Sequence, residues 1–204
     1  MRSGVVNEII QESLALPGAD VTLYHDFFQP EECSCFFEEL RDQIKWEQRI
    51  FHVKGKDIPF PRRISWYGDP GAHYTYSRVE HTPHLWTDLL LHIRSRIEEA
   101  TDAHYNSVLL NLYQDEHDSV NWHQDNETCL GVNPTIASVS FGAERVFSFK
   151  PAKGKLGTRT DVLLPNGSVL LMKGETQTNW HHAILKCNNS IGPRINLTFR
   201  WIYS

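Results

Sequence analysis

The spacing of apolar residues predicts two helices in the first half of the chain. After Pro30, apolar residues recur every three or four positions, which is the period of a helix with one buried face. Pro30 and the two acids after it suit the first turn, where the helix dipole is positive. The apolar stripe of this first helix is Phe36, Phe37, Leu40 and Ile44. A second helix is predicted over residues 84–100, with the stripe Leu85, Leu89, Ile93 and Ile97.

Strand patterns occupy residues 21–28 and the chain after Asn106. Short runs rich in β-branched and aromatic residues alternate there with Gly, Pro and Asn, as strands alternate with turns. The later runs are 108–110, 136–141, 146–149, 162–164, 168–171 and 195–199. Short strands that follow two helices are typical of an antiparallel two-sheet jelly roll (a double-stranded β-helix) with the helices buttressing one sheet. We therefore predict a mainly β member of the α+β class.

The length and composition fit one globular domain. The chain has 204 residues, of which 40% are apolar and 22% are charged, and a chain of this length can build one hydrophobic core. We predict a single domain over residues 1–204, with an N-terminal extension over 1–20, a lid over 46–82 and the jelly-roll core over 106–204. The lid segment is rich in aromatic residues, Pro and Arg, and predicts hairpins and loops over the mouth of the barrel.

Neither a membrane segment nor a disulfide framework is expected. No apolar run is long enough to cross a bilayer, and the first 20 residues lack the apolar stretch of a signal peptide. The four cysteines show no CxxC pair or zinc spacing, which is typical of reduced thiols in the cytosol. We expect a cytoplasmic protein, also nuclear if its source is eukaryotic, without a membrane partner.

Charge is unevenly distributed along the chain. The net charge is −5, whereas residues 49–63 and residues 150–159 each sum to +4. Two interpretations fit this distribution. The basic segments bind a polyanion while the acidic remainder stays in solvent, or both segments are solvated loops. Charge alone does not separate the two.

Three side chains predict a metal site. His123 and Asp125 stand two positions apart, so on a strand they point to the same face. His182 lies on a later predicted strand, over residues 180–185. Two imidazoles and one carboxylate bind one side of an iron(II) ion and leave the other side open for a cosubstrate and oxygen. The neighbouring His181 is an alternative ligand on residue type alone.

A set of polar residues predicts an anion site beside the metal. Arg194 and Arg200 are six positions apart, so on one strand they point to the same side. The residues between them on that side are Asn196 and Thr198. Guanidinium groups bind carboxylates through two parallel hydrogen bonds, so this strand suits a small dicarboxylate. A similar same-face polar pair lies on an earlier strand: Asn111 and Tyr113.

Together these motifs resemble the AlkB family of iron(II)/2-oxoglutarate dioxygenases, which demethylate damaged nucleic acid. The resemblance rests on Asn111-Leu112-Tyr113, His123-Gln124-Asp125, His182 and the closing motif Pro193-Arg194-Ile195-Asn196-Leu197-Thr198-Phe199-Arg200. It extends from about residue 20 to the end of the chain. The motif Trp66-Tyr67-Gly68, followed by Tyr74-Thr75-Tyr76-Ser77, also resembles the substrate lid of the members that repair DNA and RNA.

The resemblance implies roles for individual residues. The implied metal ligands are His123, Asp125 and His182. The residues implied to hold 2-oxoglutarate are Asn111, Tyr113, Arg194, Asn196, Thr198 and Arg200. The residues implied to line the pocket for the modified base are Trp66, Tyr74, Tyr76, Ser77 and Glu127. Position within the motif, rather than geometry, favours His182 over His181.

The implied reaction removes methyl groups from ring nitrogens of bases such as 1-methyladenine and 3-methylcytosine. It uses iron(II), O2 and 2-oxoglutarate and releases formaldehyde, succinate and CO2. The expected partner is DNA, RNA or both, bound by a monomer. The sequence departs from the family pattern at two places. Asn126 stands where relatives often have a second Asp. Residues 53–55 lack the aromatic wedge of duplex-specialised members, which favours single strands.

Two other functions stay open. A reader of modified bases with an inactive metal site would use the same pocket, and an oxygenase of this kind could instead act on protein or lipid. The intact ligand set and the arginine pair speak against the reader. The basic lid with its paired tyrosines speaks against protein and lipid.

Overall fold

The structure is a computed structural model that describes residues 10–53, 55–72, 74–76 and 79–203. In chain order the strands are β1 (Ile10–Ser13), β2 (Asp20–His25), β3 (Ile50–Val53), β4 (Lys56–Pro59), β5 (Arg63–Gly68), β6 (Tyr74–Tyr76), β7 (Val79–His81), β8 (Ser107–Tyr113), β9 (Val120–His123), β10 (Ile136–Gly142), β11 (Arg145–Pro151), β12 (Thr160–Leu164), β13 (Val169–Lys173), β14 (Trp180–Ile184) and β15 (Arg194–Arg200). The helices are α1 (Pro30–Gln43), α2 (Asp88–Thr101) and the short α3 (Thr176–Asn179).

Two antiparallel sheets form the body of the fold. The larger sheet has the strand order β1-β2-β13-β10-β15-β8-β5, and the smaller has the order β12-β11-β14-β9. Strands that are distant in sequence therefore lie side by side, as in a jelly roll. Helices α1 and α2 pack on the larger sheet and share one apolar cluster with it. The predicted mainly β jelly roll with buttressing helices is confirmed.

The alternating residues of β15 separate the two faces of the larger sheet. Ile195, Leu197 and Phe199 are fully buried in the cluster that the helices share with this sheet. Because side chains alternate along a strand, the polar residues between them face the smaller sheet. Burial of each apolar side chain contributes roughly 1.5–3 kcal/mol. This anchoring fixes the strand that carries the predicted anion site.

Both predicted helices form, but the second begins later than its apolar pattern suggested. The hydroxyl of Thr87 accepts from the N–H of Leu90 at 3.2 Å and caps α2. Leu85 therefore precedes the helix and is 69% exposed, so its place in the predicted stripe was wrong. Leu90 is fully buried instead. Among the described residues, none of the helices has the length and apolar character needed to cross a membrane.

Three predicted strands end earlier than expected, the one over 180–185 by a single residue, at Ile184. The first stops at His25, because Asp26 adopts a left-handed backbone with φ of 48°. The second, β9, stops at His123, so Asp125 lies just beyond the strand. The expectation that strand alternation orients Asp125 was therefore wrong. The other predicted strands form, most with one or two more residues at an end.

The predicted lid segment is only partly made of hairpins. Strands β3 and β4 form one hairpin, and β6 and β7 form another. Strand β5, between them in sequence, is instead the edge strand of the larger sheet and pairs with β8. That the two hairpins act as a lid stays a prediction.

Candidate metal and anion site

The structure brings the three predicted metal ligands together between the sheets. His182 on β14 pairs directly with His123 at the end of β9, and their ring centroids lie 4.2 Å apart. One ligand atom from each imidazole and one from Asp125 all lie within 4.8 Å of one another. Their clustering gives two nitrogen donors and one carboxylate at a single point. The alternative ligand His181 does not join this cluster, because neighbouring residues of β14 point to opposite faces.

Hydrogen bonding leaves one nitrogen of His123 free to face the cluster. Its Nδ1 lies 2.7 Å from the carbonyl oxygen of Asn121, which can only accept, so Nδ1 carries the proton. Its Nε2, the nitrogen left to bind a metal, lies 3.7 Å from Oδ1 of Asp125. A carbonyl behind an imidazole is the usual support of a metal-binding histidine.

His182 is more deeply buried than His123. Its ring packs nearly parallel to Phe147 at 5.1 Å, and its Nδ1 has no hydrogen-bond partner among the described residues. Burial, together with the His123 ring, lowers the pKa of His182 to about 3. The ring is therefore neutral and has a lone pair to donate, which suits a metal cation.

Asp125 is held as a carboxylate by an arginine. Nη2 of Arg200 donates to its Oδ2 at 2.7 Å, and only 3% of Asp125 is exposed. Burial alone raises the pKa of the Asp125 carboxyl, but the Arg200 guanidinium and both imidazoles outweigh burial and lower the pKa to about 2. With Oδ2 on the arginine, Oδ1 faces the histidines.

The predicted anion residues of β15 line the same cavity. The cavity is lined on this side by Arg194, Asn196, Thr198 and Arg200, and on the neighbouring β8 by Asn111 and Tyr113. The register explains this, since Arg194 pairs with Tyr113 and Asn196 pairs with Asn111. Residues directly opposite each other in a sheet project from the same face. All six predicted cosubstrate residues thus surround one space next to the metal-ligand cluster.

Arg194 has the least satisfied charge among these residues. It is 99% buried, since only 1% is exposed, and its guanidinium lies 5.3 Å from the centre of the Tyr113 ring. Nη2 donates to Ser140 at 3.0 Å, whereas Nε and Nη1 have no partner among the described residues. Burial lowers the pKa of Arg194 to about 10, so the group is still a cation at neutral pH. A buried cation with two unused donors fits a carboxylate.

The amide side chains of the cavity are bonded mainly to neighbouring hydroxyl and guanidinium groups. Oδ1 of Asn196 accepts from Thr198 at 3.0 Å, and its Nδ2 donates to Ser138 at 2.8 Å. Oδ1 of Asn111 accepts from Nε of Arg62 at 2.7 Å. These bonds fix the shape of the cavity wall around the arginines.

Sequence reasoning missed two residues of this site. Arg62 belongs to the basic segment over 49–63, but it lines the cavity instead of facing outward. Gln177 accepts from the N–H of Asp125 at 2.9 Å. Both contacts join residues about fifty positions apart, so no local pattern announces them. The pairing of β5 with β8 is the signal that would have placed Arg62 beside Asn111.

The predicted base-pocket residues are only partly described. Trp66 on β5 pairs with Leu109, so its side chain shares the sheet face that lines the cavity. Glu127 is exposed at the start of a short 3-10 turn over Thr128–Leu130. Tyr74 and Tyr76 lie on β6, and Ser77 lies outside the described residues. Their roles in base binding stay predictions.

The arrangement fits a divalent metal next to a dicarboxylate. Two imidazoles and one carboxylate occupy one side of the cluster, which is the donor set of an iron(II) site with open positions. The unpartnered atoms of His182 and Arg194 are buried groups that a metal and an acid would satisfy. These unpartnered atoms, together with the two nitrogen donors and one carboxylate, are the evidence that a metal and a dicarboxylate fit this cavity.

The chain is similar to known proteins in sequence. A profile described as the 2OG-Fe(II) oxygenase superfamily matches residues 20–200. The alpha-ketoglutarate-dependent dioxygenase alkB homolog 3 of Mus musculus is 42% identical over 192 residues, which cover 90% of this chain and 66% of that protein. The DNA oxidative demethylase ALKBH2 of Mus musculus is 37% identical over 188 residues, which cover 88% of this chain and 79% of that protein.

The fold is similar to a solved structure as well. A structure described as OsALKBH1 matches with a TM-score of 0.68, covering 94% of this chain and 100% of that chain. The two sequences are 15% identical, so this match supports the fold alone. The chain spans about two thirds of the length of the alkB homolog 3 relatives.

Proposed function

The chain belongs to the 2OG-Fe(II) oxygenase superfamily and, within it, to the AlkB family, and from this premise we propose that it is a dioxygenase that demethylates alkylated bases in DNA, RNA or both. The observation that carries the proposal is the buried cluster of His123, Asp125 and His182 beside the unsatisfied Arg194. A binding protein without turnover has no need for this combination of donors.

In this proposal the three clustered side chains hold iron(II), and the arginines hold 2-oxoglutarate. The bound metal, with O2 and 2-oxoglutarate, supplies oxidation of the N-methyl carbon, and formaldehyde, succinate and CO2 are the products. Arg200 keeps Asp125 ionised and turns its Oδ1 toward the histidines. Arg194, deeper in the cavity, offers Nε and Nη1 to a carboxylate of the cosubstrate.

The neighbouring polar residues keep these groups in place and complete the cosubstrate site. Tyr113 lies under the Arg194 guanidinium. Asn111, Asn196 and Thr198 are joined in one hydrogen-bonded set, with the two amides 3.5 Å apart. A prearranged wall of this kind lowers the cost of ordering side chains when the acid binds.

The modified base is proposed to enter over His123. The side chain of His123 is 36% exposed, so part of its ring can be reached by a flipped base. We assign the stacking and lining roles to Trp66, Tyr74, Tyr76, Ser77 and Glu127. The carboxylate of Glu127 favours a base that methylation has made cationic over the normal neutral base. Stacking of a base on an aromatic ring is worth roughly 1–3 kcal/mol, enough to retain it without a wedge.

The outer face of the smaller sheet is proposed to contact the nucleic-acid backbone. Lys150 lies 4.5 Å from the centre of the Trp122 ring, and Arg159 lies 5.8 Å from the same ring. Lys150 on β11 pairs with His181 on β14, and both project from the face of the smaller sheet opposite to His182. The basic segment over 150–159 thus begins on β11, the strand next to that of His182. In the other basic segment, Arg62 points inward to Asn111, and Lys54 lies outside the described residues.

We further propose a preference for single strands. A methylated base in a single strand has no pairing to lose when it leaves the stack, so extrusion costs less there than in a duplex. A side-by-side rate on single- and double-stranded methylated DNA and RNA tests this preference. Faster turnover of duplex DNA would contradict it.

Release of formaldehyde from a 3-methylcytosine oligonucleotide tests the function. With iron(II), O2 and 2-oxoglutarate, the wild-type protein should release formaldehyde, and the Asp125→Ala variant should release none. The Thr87→Ser variant, altered at the cap of α2 on the helix side of the larger sheet, is the folded control. Failure of the wild type on every methylated DNA and RNA substrate, or full activity of Asp125→Ala, would overturn the proposal.

The proposal also includes the oligomeric state and the cellular compartment of the protein. We propose a monomer in the cytoplasm, and also in the nucleus if the source is eukaryotic. Light scattering on the purified protein measures the mass, and a tagged copy reports the compartment. A stable dimer or a secreted protein would contradict these assignments.

A further inference from the structure

The backbone around Asp125 is not oriented by a strand. Strand β9 ends at His123, two residues before the carboxylate. The chain is instead joined to α3 by a reciprocal pair of hydrogen bonds. Nε2 of Gln124 donates to the main-chain carbonyl of Gln177 at 2.7 Å, and the main-chain N–H of Asp125 donates to Oε1 of Gln177 at 2.9 Å. Each glutamine side chain thus bonds the main chain of the other segment.

Gln177 is itself held in one orientation. It is 2% exposed and sits on α3, which runs directly into β14, the strand of His182. Its Nε2 lies 3.5 Å from the sulfur of Met172, and its Oε1 faces the N–H of Asp125. An N–H requires an acceptor, so the contact with Asp125 fixes which end of the amide faces it. One side chain therefore connects the segment of Asp125 to the segment of His182.

We propose that Gln177 is a positioning residue for the metal site, since its amide sets where the Asp125 carboxylate stands relative to His182. The inference rests on the proposed function. Arg200 holds Oδ2 of Asp125 from the other side. Without the Gln177 contact, the main chain at Asp125 loses its fixed point and the carboxylate follows Arg200 alone. Loss of an outer partner of a metal ligand typically weakens metal binding about 10- to 100-fold.

The helix offers a matched control one residue away. Thr176 is also buried, at 1% exposed, and its hydroxyl accepts from the N–H of Asp20 at 3.0 Å and donates to the carbonyl of Lys173. Thr176→Val removes these bonds from the same short helix without touching Asp125. It separates loss of helix stability from loss of ligand placement. Gln177→Met removes the acceptor at nearly constant volume, and Gln124→Met removes only the reciprocal bond.

The experiment is a titration of each metal-free variant with Co(II), followed by visible absorption, next to thermal unfolding of the metal-free proteins. Gln177→Met should bind Co(II) about 10- to 100-fold more weakly than wild type, Gln124→Met should lose less, and Thr176→Val should lose stability but bind Co(II) as wild type does. Wild-type affinity in Gln177→Met would overturn the inference. If that variant does not fold, Gln177→Asn, whose shorter side chain withdraws the acceptor from the Asp125 N–H, decides by the same criterion.

Failure of the inference and failure of the proposed function give different results. If the wild-type protein binds no Co(II) in the cavity, the metal site itself is wrong. If the wild type binds Co(II) and the Gln177→Met variant binds it equally well, only the positioning role is wrong. A drop in affinity of the same size in Thr176→Val would also overturn the positioning role, because any weakening of α3 would then suffice.

Discussion

Two buried arginines that contact the same tyrosine ring should respond to mutation in opposite ways. Arg194 and Arg145 lie 5.3 and 5.6 Å from the centre of the Tyr113 ring. Arg145 donates to three main-chain carbonyls, those of Asp115, Asp118 and Leu185. Arg194 has two nitrogens without a partner among the described residues. Arg145 therefore holds the fold together, and Arg194 is free to hold a ligand.

We expect Arg194→Met to lose 2-oxoglutarate binding and to keep its stability. Two charge-assisted hydrogen bonds at about 1.5–3 kcal/mol each amount to at least about 3 kcal/mol. At about 1.4 kcal/mol for each factor of ten, this weakens binding on the order of 100-fold. Removal of a buried cation that lacks a counterion relieves its desolvation, so the metal-free protein should unfold at the same or a higher temperature.

The Arg145→Met variant should show the reverse. Three carbonyls lose their donor, which costs roughly 3 kcal/mol or more. In a chain of this size the unfolding temperature falls by about 2–4 °C per kcal/mol, hence by roughly 6–12 °C. Its affinity for 2-oxoglutarate should change far less than that of the Arg194→Met variant.

The assay is calorimetric titration with 2-oxoglutarate in the presence of Mn(II), which binds without turnover, next to thermal unfolding. Binding of Mn(II) itself is measured first, so that a lost metal site is not mistaken for a lost anion site. The reasoning is refuted if Arg194→Met binds Mn(II) and 2-oxoglutarate as wild type does. It is equally refuted if Arg194→Met is destabilised as much as Arg145→Met.

Three further outcomes follow from the same structure. Replacement of Lys150 and Arg159 by Met should reduce the salt dependence of single-strand binding by about one unit of slope per lost phosphate contact, and an unchanged slope would return them to the solvated-loop interpretation. Thr87→Ala should lower stability by about 1 kcal/mol through loss of the α2 cap, measured by denaturant unfolding, whereas Thr87→Ser should lose less. Glu127→Gln should reduce the preference for cationic over neutral methylated bases, as measured by competition, and an unaltered ratio would remove Glu127 from the base pocket.

Much of the fold was predictable because the local spacing of apolar residues specifies helices and strands. The alternation of β15 predicted which of its residues face the helices and which face the cavity, and the structure agrees. The strand pattern after residue 106 also predicted the jelly roll. The start of the second helix was predicted four residues too early, because the apolar spacing extends to the N-terminal side of the Thr87 cap. The spacing of apolar residues predicts which face of a helix or strand is buried, but it does not predict where the element begins or ends.

The details of the candidate site depended on contacts that no local pattern contains. The placement of Asp125 comes from Gln177 and Arg200, which are 52 and 75 positions away. In the sequence, Arg62 belongs to a basic segment that could lie in solvent. In the structure, the pairing of β5 with β8 brings it to Asn111. Residue types and spacing thus identified the candidate ligands, whereas contacts between residues distant in sequence determine the geometry of the site.

The most direct test of the account is the position of a bound metal in a crystal. Crystals grown with Mn(II) and 2-oxoglutarate without oxygen should give one strong anomalous peak among His123, Asp125 and His182, with a carboxylate of 2-oxoglutarate against Arg194. A peak elsewhere, or 2-oxoglutarate bound away from Arg194, would contradict the account.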